Sequence, residues 1–109
     1  MSYKVLLTAR FEKELKRLAK KFASLSSDFS KLVRTLLEKP ESGIPIGNNC
    51  YKIRLAIRSK QKGKSGGARV VFYVYIEAKT IYLLTIYDKS EKSDLRPNEL
   101  KEMVNGLEL

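Results

Sequence analysis

Gly66-Gly67-Ala68-Arg69-Val70-Val71-Phe72-Tyr73-Val74-Tyr75-Ile76 is the stretch on which the fold turns. Two glycines close a polar segment, and an arginine opens a β-branched and aromatic run of strand type. Val70, Phe72, Val74 and Ile76 fall on one face of such a strand, and Arg69, Val71, Tyr73 and Tyr75 on the other. Before it, residues 51–58 alternate in the same way. Ile53, Leu55 and Ile57 share a side, and Lys52, Arg54 and Arg58 share the opposite one. After it, residues 77–80 form a turn and 81–87 a further strand. No long crossover separates these three strands, so they are expected to form an antiparallel meander.

Working outward, residues 3–7 are a short apolar run read as a first strand. Thr8 is placed to cap a helix carrying Phe11, Leu15, Leu18, Ala19 and Phe22 at helical spacing. The outer face of that helix holds Lys13, Lys16, Arg17, Lys20 and Lys21 against Glu12 and Glu14. It reads as a solvated surface, with a second nucleic-acid contact as the alternative. A serine turn at 24–27 leads to a second helix, capped by Ser26 or Ser27. Its stripe is Phe29, Leu32, Val33, Leu36 and Leu37. Pro40 ends it. The short turn makes the two helices an antiparallel hairpin. Residues 41–49, with two glycines and paired asparagines, read as a loop. Pro97 suits the first turn of a last helix bearing Leu100, Met103, Val104 and Leu107. The expected architecture is therefore α+β: one domain over 1–109, a small antiparallel sheet packed on an N-terminal helical hairpin, with a C-terminal helix.

Twenty-two Lys and Arg face twelve Asp and Glu, a net charge of +10. Such an excess costs stability by self-repulsion and points to a polyanionic partner. Between Lys52 and Arg69 there are seven basic residues and no acidic one. Cys50 is the only cysteine, so no internal disulfide can form. One cysteine and no histidine together exclude zinc sites and Cys-His catalysis. No apolar run approaches the roughly 18 residues of a membrane span, and the opening residues show no signal-peptide core. The expected location is the cytoplasm, with no membrane partner and neither metal nor cofactor.

With the helical hairpin covering one sheet face, the other is expected to stand open, displaying Arg54, Arg69, Tyr73 and Tyr87. Lys62 and Lys64 would overhang it from the loop, with Lys89 and Lys92 entering after the last strand. Cations bind the phosphates of single-stranded RNA, and tyrosine stacks on unpaired bases at roughly 1–3 kcal/mol each. Lys52, Arg54, Arg58, Lys60 and Tyr73 are the candidate RNA contacts. Alternatively, the strand tyrosines simply pack a half-buried sheet, the better reading for Tyr75. No inward-facing carboxylate pair suggests metal-nuclease chemistry, because Asp88, Glu91 and Asp94 sit among lysines.

Gly63-Lys64-Ser65-Gly66-Gly67-Ala68-Arg69 together with Leu83-Leu84-Thr85-Ile86-Tyr87-Asp88-Lys89-Ser90-Glu91-Lys92-Ser93-Asp94-Leu95 resembles the RelE/ParE superfamily of bacterial type II toxins, most of all its HigB branch. The resemblance spans nearly the whole chain. It implies a toxin that enters the ribosomal A site and cleaves messenger RNA there, neutralised by a cognate antitoxin of helix-turn-helix type. It matches Arg69 to the family's strand-opening arginine, Lys62 and Lys64 to its basic loop, and Lys89 and Lys92 to its basic positions after the last strand. Ser90 and Arg96 depart from the best-known pattern, which has an arginine and a C-terminal tyrosine there; Tyr87 is the substitute for that tyrosine.

The implied chemistry is attack of a ribose 2′-hydroxyl on the adjacent phosphate, which requires no metal. Arg69 would stabilise the transition state. A clustered lysine or Tyr87 would act as base, and another lysine as acid. These six residues, Arg69, Lys62, Lys64, Tyr87, Lys89 and Lys92, form the candidate catalytic set. The competing expectations are a DNA gyrase inhibitor of the ParE type and a non-catalytic RNA-binding domain.

Overall fold

A computed structural model describes residues 2–59, 67–107 and 109. Strands β1 (Lys4–Leu7), β2 (Ile44–Gly47), β3 (Cys50–Leu55), β4 (Ala68–Tyr75) and β5 (Thr80–Asp88) form one sheet in the order β1-β5-β4-β3-β2. Helices α1 (Ala9–Lys21) and α2 (Leu25–Glu38) lie between β1 and β2, and α3 (Glu99–Asn105) ends the chain. The fold is α+β, and β3, β4 and β5 form the expected antiparallel meander.

The sheet as a whole is mixed. β1 joins its edge parallel to β5, pairing Lys4 with Thr80 and Leu7 with Leu83. The segment read as a loop at 41–49 contains the edge strand β2. It pairs with β3 through a two-residue turn at Asn48 and Asn49, both at positive φ (55° and 61°). Two left-handed residues make a turn whose twist matches the strands it joins, and asparagine tolerates that conformation.

The hairpin of α1 and α2 covers one face of the sheet. Phe11, Leu18, Leu25, Leu32 and Leu36 bury against Val70, Phe72, Val74, Ile81, Leu83 and Ile86. Thr8 caps α1, accepting from the Phe11 N–H at 3.2 Å, and its hydroxyl donates to the Leu83 carbonyl at 2.9 Å. The cap of α2 is Ser24, two or three residues earlier than expected. Leu37 falls outside the buried stripe and is exposed.

Two features alter the expected display of side chains. The first is a bulge in β5. Val71 pairs with Thr85 and Phe72 with Leu83, so Leu84 is the extra residue. Beyond it, the alternation reverses. Ile86 joins the core under the helices, whereas Leu84 and Tyr87 face the other side. Glu14 of α1 pins the bulge: its Oε1 accepts from Thr85 Oγ1 at 2.6 Å and from the Ile86 N–H at 3.1 Å.

The second is α3. The sheet's other face is not open throughout, because Leu100, Met103, Val104 and Leu107, with Leu95 before them, pack on Cys50, Val71, Leu84 and Tyr87. An apolar helix stripe requires an apolar partner, and this face supplied the remaining one.

Candidate functional site

Register brings the central candidates together. Arg54 of β3 lies opposite Arg69 of β4, and Arg69 lies opposite Tyr87 of β5. Directly opposed residues on antiparallel strands share a face, with Cβ atoms about 4.5–5.5 Å apart. The two guanidinium side chains and the phenol thus form one row across three strands, on the face away from the helical hairpin. Opposed like charges are destabilising, so the fold holds two cations side by side at a cost. Gly67, just before β4, has φ +91°, and a Cβ there would come within 2.6 Å of the Leu55 carbonyl oxygen. Only glycine lets the chain enter β4 this closely against the end of β3.

Tyr87 is 5% exposed, under the α3 cluster. Its buried hydroxyl has no hydrogen-bond partner among the described residues. Burial and the nearby Asp94 carboxylate raise its pKa, only partly offset by the Arg69 charge. A phenol above its ordinary range favours its protonated form at neutral pH, which suits a donor better than a base. It remains competent as a hydrogen-bond or proton donor.

The segment 88–96 closes over this end of the sheet and is tied down residue by residue. Asp88 Oδ1 accepts from the Ser90 N–H and hydroxyl at 3.0 and 2.9 Å, starting a tight turn. Glu91 is gripped by Arg17 and Lys21 of α1, each at 2.7 Å. Lys92 donates to both oxygens of Glu99, at 3.0 and 2.8 Å, and its ammonium stands 5.6 Å from the centroid of the Tyr87 ring. Asp94 accepts from Lys52 of β3 at 3.1 Å. Lys89 is exposed beside the turn.

Glu99 is the hub of this end. It is 2% exposed and accepts from Arg10 Nη2 at 2.7 Å, from Lys92 and from the Arg96 N–H at 2.8 Å. Burial alone would raise its pKa, but those donors outweigh it and bring it down to about 2.

The remaining candidates separate. Tyr73 shares the face of Arg69 but sits four residues along β4, about 13 Å away at strand rise. There it stacks with Tyr75 and meets Tyr82 at a tilt, with ring centroids at 6.2 and 6.4 Å. Arg58 leaves the sheet altogether: its Nε donates to Asp28 of α2 at 2.7 Å and its Nη2 to the Ser27 hydroxyl at 2.6 Å. In this structure Arg58 ties the end of β3 to α2. Lys60, Lys62 and Lys64 lie outside the described residues. Cys50 is buried, and burial pushes its thiol up to about 12, so it supplies no thiolate.

Sequence reasoning missed Glu14, Asp28, Asp94 and Glu99. Glu99 stands within an ordinary polar helix start, and its partners lie as far as 89 positions away. The one local signal was the alternation of acids and lysines in 88–94, which reads equally well as a solvated charge run.

A helical hairpin on one face of a small mixed sheet, a short helix on the other and the Arg54, Arg69 and Tyr87 row at the sheet's end define a particular α+β fold. Solved structures show it: the isolated Escherichia coli RelE toxin (TM-score 0.61, 22% identity, covering 94% of this chain and 96% of that one) and the intact E. coli RelBE toxin–antitoxin complex (0.59, 23%, 77% and 93%). A toxin–antitoxin complex from Mycobacterium tuberculosis also matches (0.58, 16%, 81% and 99%). Residues 3–106 match the family described as the RelE toxin of the RelE / RelB toxin-antitoxin system, and the chain belongs to that family.

Proposed function

We propose that this chain is the toxin of a type II pair and acts as a metal-independent endoribonuclease. It cleaves messenger RNA in the ribosomal A site in the manner of the HigB branch, in the cytoplasm, under the control of a helix-turn-helix antitoxin. The observation that carries this reading is the register row of Arg54, Arg69 and Tyr87. Two guanidiniums held in opposition suit a phosphodiester, whose non-bridging oxygens gain charge as the phosphorane forms.

In the proposed step the ribose 2′-oxygen bonds to the adjacent phosphorus and gives up its proton. The bond from phosphorus to the 5′-oxygen breaks, and that oxygen takes a proton. The products are a 2′,3′-cyclic phosphate and a 5′-hydroxyl. Arg69, with Arg54 beside it, neutralises the phosphoryl oxygens. Tyr87, kept protonated by its surroundings, donates towards the leaving 5′-oxygen. Lys92 braces the Tyr87 ring. Lys89, with Lys62 and Lys64 of the basic loop, holds the flanking phosphates, and one of these amines takes the 2′ proton. In-line placement comes from the ribosome.

Expression of the wild type should arrest growth and produce new messenger RNA ends within translated codons. Arg69→Ala, with an unchanged circular-dichroism spectrum, should lose both, by a factor of about 10² or more. New RNA ends at wild-type frequency from the folded variant would remove Arg69 from the chemistry, and DNA breaks in place of RNA ends would overturn the ribonuclease reading.

A further inference from the structure

Asp94 is an acid set beside a sheet face that otherwise carries cations. Its carboxylate bridges from the segment after β5 to Lys52 of β3 at 3.1 Å. On β3, Lys52 stands two residues from Arg54, on the same face. Asp94 is also close enough to the Tyr87 hydroxyl to raise its pKa, and that hydroxyl is buried and unpartnered among the described residues. The neighbouring ties of the segment, Glu91 to α1 and Lys92 to Glu99, hold its backbone in place. The Asp94 side chain itself is 63% exposed, and its Oδ1 also accepts from the adjacent Leu95 N–H at 2.8 Å, so swinging it out gives up that local bond and the ion pair but leaves the backbone ties in place.

We propose that Lys52 is a phosphate subsite of the RNA-binding row, and that Asp94 occupies it in the free protein as an intramolecular stand-in for a phosphate. The inference rests on the proposed RNA-cleaving role of this face. Single-stranded RNA displaces the carboxylate: a phosphodiester takes the Lys52 ammonium, and Asp94 swings into solvent. An exposed ion pair is weak enough to exchange in this way. Asp94 is then a positioning residue that lowers affinity for stray RNA, a burden that binding on the ribosome, with its many other contacts, readily overcomes.

The test is fluorescence anisotropy with a labelled, uncleavable 2′-O-methyl single-stranded RNA at low salt. Asp94→Asn should bind about three- to fivefold more tightly than wild type, the most that an exposed ion pair withholds. Glu77→Gln, a charge-matched change on the exposed turn after β4, should give a smaller gain. In a Lys52→Ala background, Asp94→Asn should add nothing. If Asp94→Asn merely equals Glu77→Gln while Arg69→Ala still weakens binding, the stand-in is refuted and the RNA-binding face survives. If Arg69→Ala binds like wild type, both fall together.

Discussion

Glu14 shows at the residue scale how an ordinary surface carboxylate becomes structural. It sits among lysines on a polar helix face, yet one of its oxygens accepts from the two donors that the β5 bulge leaves over. Removing it strands a backbone N–H and a hydroxyl that are largely out of water. Glu14→Ala should destabilise the fold by about 2 kcal/mol in urea denaturation, more than Glu12→Ala one turn face away. Glu99 is the second case. Its folded pKa of about 2 lies below its ordinary value of 4.5. A depressed carboxylate contributes stability that is present above the unfolded pKa and lost as pH falls through the folded one. Unfolding free energy should therefore drop between about pH 5 and pH 2 by roughly 2–3 kcal/mol, and Glu99→Gln should flatten that part of the profile. An unchanged acid limb in Glu99→Gln would show that other carboxylates carry it.

Among the elements, the tie between α2 and the end of β3 separates scaffold from site. Asp28 is buried near the start of α2. It accepts from the Ser24 hydroxyl at 2.6 Å and from the Arg58 N–H and Nε at 3.0 and 2.7 Å. Burial works against its charge, but these donors prevail and lower its pKa. Asp28→Ala should cost about 3 kcal/mol, because it leaves donors without an acceptor. Arg58→Ala should reduce stability while folded protein keeps the proposed RNA cleavage, which distinguishes Arg58 from Arg69. The helical hairpin, the meander and the C-terminal helix were all legible, because each is written in a local period of apolar residues. The β2 hairpin was not read, although Asn48 and Asn49 carried its signal. The strand itself, Ile44-Pro45-Ile46-Gly47, is four residues long and holds a proline, tolerated at a sheet edge.

Across the whole molecule, a net charge of +10 would make the proposed association with RNA a salt-dependent equilibrium. Each phosphate contact on a single strand contributes about −0.7 to the slope of log affinity against log salt. The Arg54→Ala, Arg69→Ala double variant should flatten that slope by about 1 to 1.5, and an unaltered slope would place the phosphates elsewhere. The amino-acid order alone determined the α+β class, the meander, the basic character of one sheet face and the motif that places the chain among toxins. It could do so because strand and helix periods, and the positive φ that Gly67 adopts, are set over a few neighbouring residues. Tertiary structure decided what local periods cannot express: the parallel seating of β1, the bulge that turns Tyr87 to the row, and α3 closing over half of the face expected to be open. It also decided which charges are spent, since Lys52, Arg58 and Lys92 take carboxylates 42, 30 and 7 positions away. Such pairings depend on the sheet's register and on the packing of helices across it, and neither exists until the chain has folded.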